Sequence, residues 1–175
     1  MNTFAMVLCS SSPAQEMFVP AHPAPKREVR GVWITTLGGL DWPKTKASSP
    51  QGMEQQKQEL TEMLDQLQAL RINTIFLQTR VRGSVIYPSQ IEPWDVALTG
   101  QYNRSPGYDP LAFAITEAHR RGMELHAWVV TIPCFKVAQA KRIGRKSLAY
   151  THPSWLKKHA DTYYLDPGQP EVAHY

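Results

Sequence analysis

The chain has 175 residues, a formal net charge of +4, 42% hydrophobic residues and 19% charged residues. These proportions exclude wholesale disorder, and no stretch approaches the roughly 20 apolar residues needed to span a bilayer. The length allows one domain with a substantial core but is short of the roughly 250 residues of a complete (β/α)₈ barrel.

Residues 1–15 resemble part of a secretory signal. Phe4 to Leu8 is a short apolar run, and Ser10-Ser11-Ser12-Pro13-Ala14 supplies small residues for cleavage. Export to an extracytoplasmic location, periplasmic, outer-membrane-associated or secreted, is the expectation. Residues 16–28, with Pro20, Pro23 and Pro25, read as a linker. The two cysteines, Cys9 and Cys134, imply no disulfide framework.

Folding signals begin at Val29. Val29 to Thr36 is apolar and β-branched nearly throughout, as in a parallel strand buried on both faces. A helix is predicted from Met53 to Leu70, with Leu60, Met63, Leu64, Leu67 and Leu70 on one stripe. Ile72 to Thr79 is a second strand, and the short spacing makes a strand–helix–strand unit with parallel strands. The segment from Arg80 to Tyr108 is too long for a plain connection and reads as an ordered functional loop. Asp109-Pro110 opens a second helix, Gly122 closes it, and Met123 to Val130 is a third strand. Residues 135–160 form a basic excursion, and Pro170-Glu171-Val172 reads as the first turn of a further helix. The basic run could face an anionic polymer or be a solvated face, but no nucleic-acid-binding motif accompanies it.

Five segments carry a family likeness. They are Arg27 to Thr35; Leu77-Gln78-Thr79-Arg80 with Tyr87-Pro88-Ser89 and Ile91-Glu92-Pro93-Trp94; Gly107 to Phe113; Leu125-His126-Ala127-Trp128; and Tyr164-Leu165-Asp166-Pro167-Gly168. In this order they resemble the glycosyl hydrolase-like 10 family of bacterial barrel proteins. The resemblance implies an α/β fold, an incomplete (β/α)₈ TIM-type barrel comprising roughly the first three βα units, over residues 29–175. It also implies a polysaccharide or peptidoglycan glycan strand as partner. Two departures stand out. Val129-Val130-Thr131-Ile132-Pro133 replaces an aromatic–Asn–Pro type of segment, and the family's next strand, with consecutive aspartates, has no counterpart here.

Glycoside hydrolysis normally takes two carboxyl groups, and in α/β barrels they lie at the C-terminal ends of strands. By that criterion Gln78, Arg80, Tyr87, Trp94 and Trp128 are candidate substrate-binding residues, and Asp166 is the candidate catalytic carboxylate. Each has a plainer reading. Arg80 and Glu92 suit structural roles, Trp94 could anchor its loop, His126 could fill the barrel interior, and Asp166 could cap a turn. No metal spacing, phosphate loop or serine elbow is present, so no metal or cofactor is expected. The chain is therefore expected to be inactive alone, either as part of a hydrolase or as a non-catalytic carbohydrate-binding protein. An open barrel edge would favour self-association.

Overall fold

A computed structural model of the chain describes residues 28–175. The apolar run at residues 4–8, Cys9 and all of the linker except Glu28 lie outside the described residues.

Three strands form a parallel sheet, β1 (Gly31–Ile34), β2 (Thr74–Arg80) and β3 (Glu124–Val129), in the order β1-β2-β3. Helix α1 (Pro50–Ala69) joins the first two strands. Its start is earlier than periodicity implied, because Ser49 is the N-cap, accepting a hydrogen bond from the Gly52 amide at 3.1 Å, and Pro50 comes next. Between β2 and β3 lie α2 (Val96–Thr99) and α3 (Pro110–Arg120). Asp109 caps α3 as expected, accepting from the Leu111 and Ala112 amides at 3.0 Å each.

Strand alternation divides the sheet's side chains between two environments. Ile34, Ile75, Leu77 and Leu125 face the helices and pack with Leu60, Leu64, Ala114 and Ala118 in the principal core. Gly31 and Trp33 on β1, Phe76 and Gln78 on β2, and His126 and Trp128 on β3 share the opposite face by register. There Trp33 stacks on Phe76 at 4.7 Å, Phe76 stacks on His126 at 5.4 Å, and Trp128 meets Trp33 edge-on at 5.1 Å. Gly31 leaves room for this stack, since a Cβ there would lie 2.7 Å from Phe76 Cε2. No helix covers this face among the described residues, and Trp33 remains 59% exposed.

Beyond β3 the chain builds a second, antiparallel unit that no periodic signal announces. Strand β4 (Pro133–Lys136) leads through α4 (Val137–Ile143) and α5 (Leu148–Thr151) to β5 (Leu156–His159) and β6 (Thr162–Leu165). The three strands form an antiparallel sheet in the order β4-β6-β5, over a second core of Cys134, Phe135, Ala140, Ile143, Leu148 and Leu165. The basic residues ring this unit. Lys136 pairs with Asp161, Lys157 pairs with Asp166, and Arg142 lies over the Tyr102 ring. Pro170–His174 is a 3₁₀ turn rather than the start of an α-helix.

Gln56 is a polar centre within the apolar layer. It is fully buried, and its Nε2 donates to the carbonyls of Thr45 (2.9 Å) and Leu98 (3.0 Å). Its Oε1 accepts from the Tyr108 hydroxyl at 2.7 Å. One side chain thus ties α1 to both long loops. Gln56→Ala, which takes a partner from the Thr45 carbonyl and the Tyr108 hydroxyl while Leu98 keeps the Ala47 amide, is expected to cost about 1–3 kcal/mol in urea unfolding, whereas Gln58→Ala on the exposed face should change stability by less than about 0.5 kcal/mol.

Candidate functional site

The carboxyl ends of β2 and β3 open into a cleft of about 390 Å³, walled by Arg80, Tyr87, Ser89, Glu92, Thr131 and Tyr175 together with apolar side chains. Its floor is an ion pair. Arg80 Nε lies 3.0 and 2.9 Å from the two Glu92 oxygens, and Nη2 donates to Oε1 at 2.7 Å. Arg80 Nη1 donates to the carbonyls of Val130 and, at 2.8 Å, Thr131. Tyr175 donates its hydroxyl to Glu92 Oε1 at 2.6 Å, and its ring centre is 5.6 Å from the guanidinium carbon. Both charged side chains are more than nine-tenths buried. Burial alone would lower the Arg80 pKa, but its hydrogen bonds to Glu92 and that carboxylate's charge hold it above the ordinary value.

Tyr87 lines the same cleft, and burial, helped by the Glu92 charge, raises its phenol pKa. Gln78, buried, uses Oε1 to accept from Thr35 Oγ1 (2.6 Å) and from the amides of Thr36 (3.0 Å) and Leu37 (3.1 Å), fixing the turn after β1. Trp128 is its register partner on the uncovered face. Trp94 lies elsewhere, packed against the helix-side core. Asp166 is also separate from the cleft walls. Its Oδ1 accepts from the Gly168 amide at 3.0 Å, and its Oδ2 pairs with Lys157 at 3.0 Å. The Lys157 bond, then the Gly168 amide, holds this carboxyl below the usual aspartate range.

The five residues read as substrate-binding therefore separate into Arg80 and Tyr87 in the cleft, Gln78 and Trp128 on the adjoining face, and Trp94 in the core. Sequence reasoning missed Tyr175 and Trp33. Nothing in the local pattern marks Tyr175, but Trp33 was open to notice, since strand alternation places it on the same face as Gln78 and Trp128.

Two further carboxylates are already engaged. Asp41 accepts from the Thr35 amide at 2.8 Å. Asp95 caps α2 through the Ala97 amide at 2.7 Å and takes the Ser84 hydroxyl at 2.5 Å. Burial raises the Asp95 pKa against those two bonds and the Lys46 charge. Among the described residues no three His, Cys, Asp or Glu side chains are placed to share a metal ion, and no helix is long and apolar enough to cross a membrane.

Residues 28–175 match the sequence profile described as glycosyl hydrolase-like 10. The chain belongs to that family. Two relatives show how far the likeness extends. Glycosyl hydrolase DigH of Escherichia coli K12 is 37% identical over 96% of this chain and 44% of its own length. Glycosyl hydrolase YngK of Bacillus subtilis 168 is 36% identical over 83% of this chain and 28% of its own. The chain thus spans less than half the length of either relative. In fold it is similar to a noncanonic maltogenic alpha-amylase, AmyB, from Thermotoga neapolitana, with a TM-score of 0.52 at 16% identity, over 84% of this chain and 34% of that one. That likeness, with the parallel sheet and its helices, establishes an α/β fold.

Two outcomes are expected. Glu92→Ala, which leaves Arg80 buried without its anion, should cost about 3–5 kcal/mol, against about 1 kcal/mol for Tyr175→Phe, read from urea midpoints. Asp95 has a folded pKa above its unfolded value of about 3.9, so the stability it adds is full below that pH and is lost as pH rises through the folded pKa. As pH rises above about 4 the native chain should therefore lose stability relative to Asp95→Asn, and parallel pH curves for the two would contradict this.

Proposed function

We propose that this chain forms the first βα units of a (β/α)₈ barrel and holds glycan for a glycoside hydrolase acting on bacterial cell-wall or other polysaccharide. The observation that carries the reading is the cleft at the carboxyl ends of β2 and β3, whose lining residue Val129 directly follows Trp128, which packs edge-on against Trp33 on the aromatic face. Carboxyl ends of parallel strands are where α/β folds place ligands, and indole faces pack against the apolar faces of sugar rings. Family membership supports a carbohydrate as the partner.

The carboxylates support a binding role for this portion. Glu92 is committed to Arg80 and Tyr175, Asp95 to Ser84 and the Ala97 amide, and Asp166 to Lys157 and Gly168. A general acid needs a raised pKa, and the Asp166 environment lowers it. In this reading the acid–base pair comes from outside the described residues. An extracytoplasmic location fits a polysaccharide substrate and is part of the same proposal.

The test is co-sedimentation of the chain with insoluble cell-wall sacculi and with insoluble polysaccharides, assayed alongside release of reducing ends. Retention on at least one glycan without hydrolysis is expected, weakened at least fivefold by Trp128→Ala. Absence of retention on every glycan would remove the carbohydrate reading, and sustained hydrolysis by the chain would remove the assignment of catalysis to other residues.

A further inference from the structure

Resting on the carbohydrate reading above, we infer that the cleft beside Arg80 takes an uncharged sugar and rejects uronic or other acidic ones. An arginine at the end of a barrel strand invites the opposite assignment, because a guanidinium fork matches a carboxylate. The geometry removes that option. Of the five N–H groups on the guanidinium, the one on Nε, one on Nη2 and both on Nη1 already point at protein acceptors, namely Glu92 and the Val130 and Thr131 carbonyls. The Tyr175 ring lies over the guanidinium.

The Glu92 carboxylate cancels the arginine's charge, and these two are the only charged side chains among the residues lining the cleft. An acidic sugar entering it would give up its hydration and meet no free cation. A buried carboxylate without a partner is strongly disfavoured.

What the cleft does offer suits hydroxyl groups and apolar ring faces. Ser89 Oγ accepts from the amides of Ile91 and Glu92, both at 3.1 Å, which leaves its own proton free to donate into the cleft. The Tyr87 phenol lines the cleft with no hydrogen bond to another described residue, and burial keeps it in the neutral, donating form. Ile132 and Val172 add apolar wall. The volume of about 390 Å³ is at the small end of ligand sites, which run from about 300 to 1,000 Å³.

The experiment is isothermal titration of the chain with two panels of hexasaccharides. The neutral panel is cellohexaose, maltohexaose, mannohexaose and chitohexaose, and the acidic panel is hexagalacturonate, hexamannuronate and a hyaluronan hexasaccharide. At least one neutral sugar is expected to bind ten times tighter than any acidic one, with an affinity that changes less than twofold between 50 and 500 mM NaCl. Tyr87→Phe, whose hydroxyl has no partner among the described residues, should weaken it at least threefold while leaving the melting temperature within about 2 °C. An acidic sugar within threefold of the best neutral one, or salt-sensitive binding, overturns this inference and leaves the carbohydrate reading standing. Failure of both panels also overturns this inference, and retention on sacculi in the co-sedimentation assay then shows whether the carbohydrate reading still stands.

Discussion

The buried contact between Arg80 and Glu92 is the constraint on which the carboxyl end of the sheet depends. Arg80 is the last residue of the central strand, and Glu92 belongs to the long loop after it. By bonding the Val130 and Thr131 carbonyls as well, the guanidinium fixes the path the chain takes out of β3. The same carboxylate receives Tyr175 from beyond the second sheet. Four segments distant in sequence thus meet at one charge pair. Such a pair gains little net stability over an apolar replacement, but removing one partner leaves an uncompensated charge in a dry site. Its value here is geometric, because it specifies where the cleft walls stand.

The sheet itself shows how one strand serves two environments. Ile75 and Leu77 contribute methyl groups to the helix side, where burial of aliphatic side chains is the main stabilising term. Phe76 and Gln78, offset by one residue, carry rings and an amide to the other side. A one-residue slip would exchange these sets, so the apolar pattern fixes the register and with it the position of every cleft residue at the strand ends.

Much of the parallel unit was legible in the sequence, because each signal had one physical cause. Asp109-Pro110 specified a helix start through a cap and a preset φ angle, and the leucine stripe of α1 specified its buried face. The antiparallel unit was not legible. Its strands are four residues long, and β5 reads Leu-Lys-Lys-His, so neither alternation nor a continuous apolar run marks it. Site residues divided similarly. Gln78 and Trp128 could be placed by strand alternation. The partners that decide what Arg80, Asp166 and Asp95 do, namely Glu92, Lys157 and Ser84, are set by tertiary folding of loops, for which the sequence has no periodic signature.

Strand order in the parallel sheet matches chain order, with Gly31 beside Thr74 and Thr74 beside Glu124. No strand has to be inserted between two that are already paired. During synthesis, which adds about 5–20 residues per second, each helix and strand can dock on the edge left by the one before it as it leaves the ribosome. The sheet can therefore grow in one direction at a single growing edge, with the helix-side core filling as each unit docks.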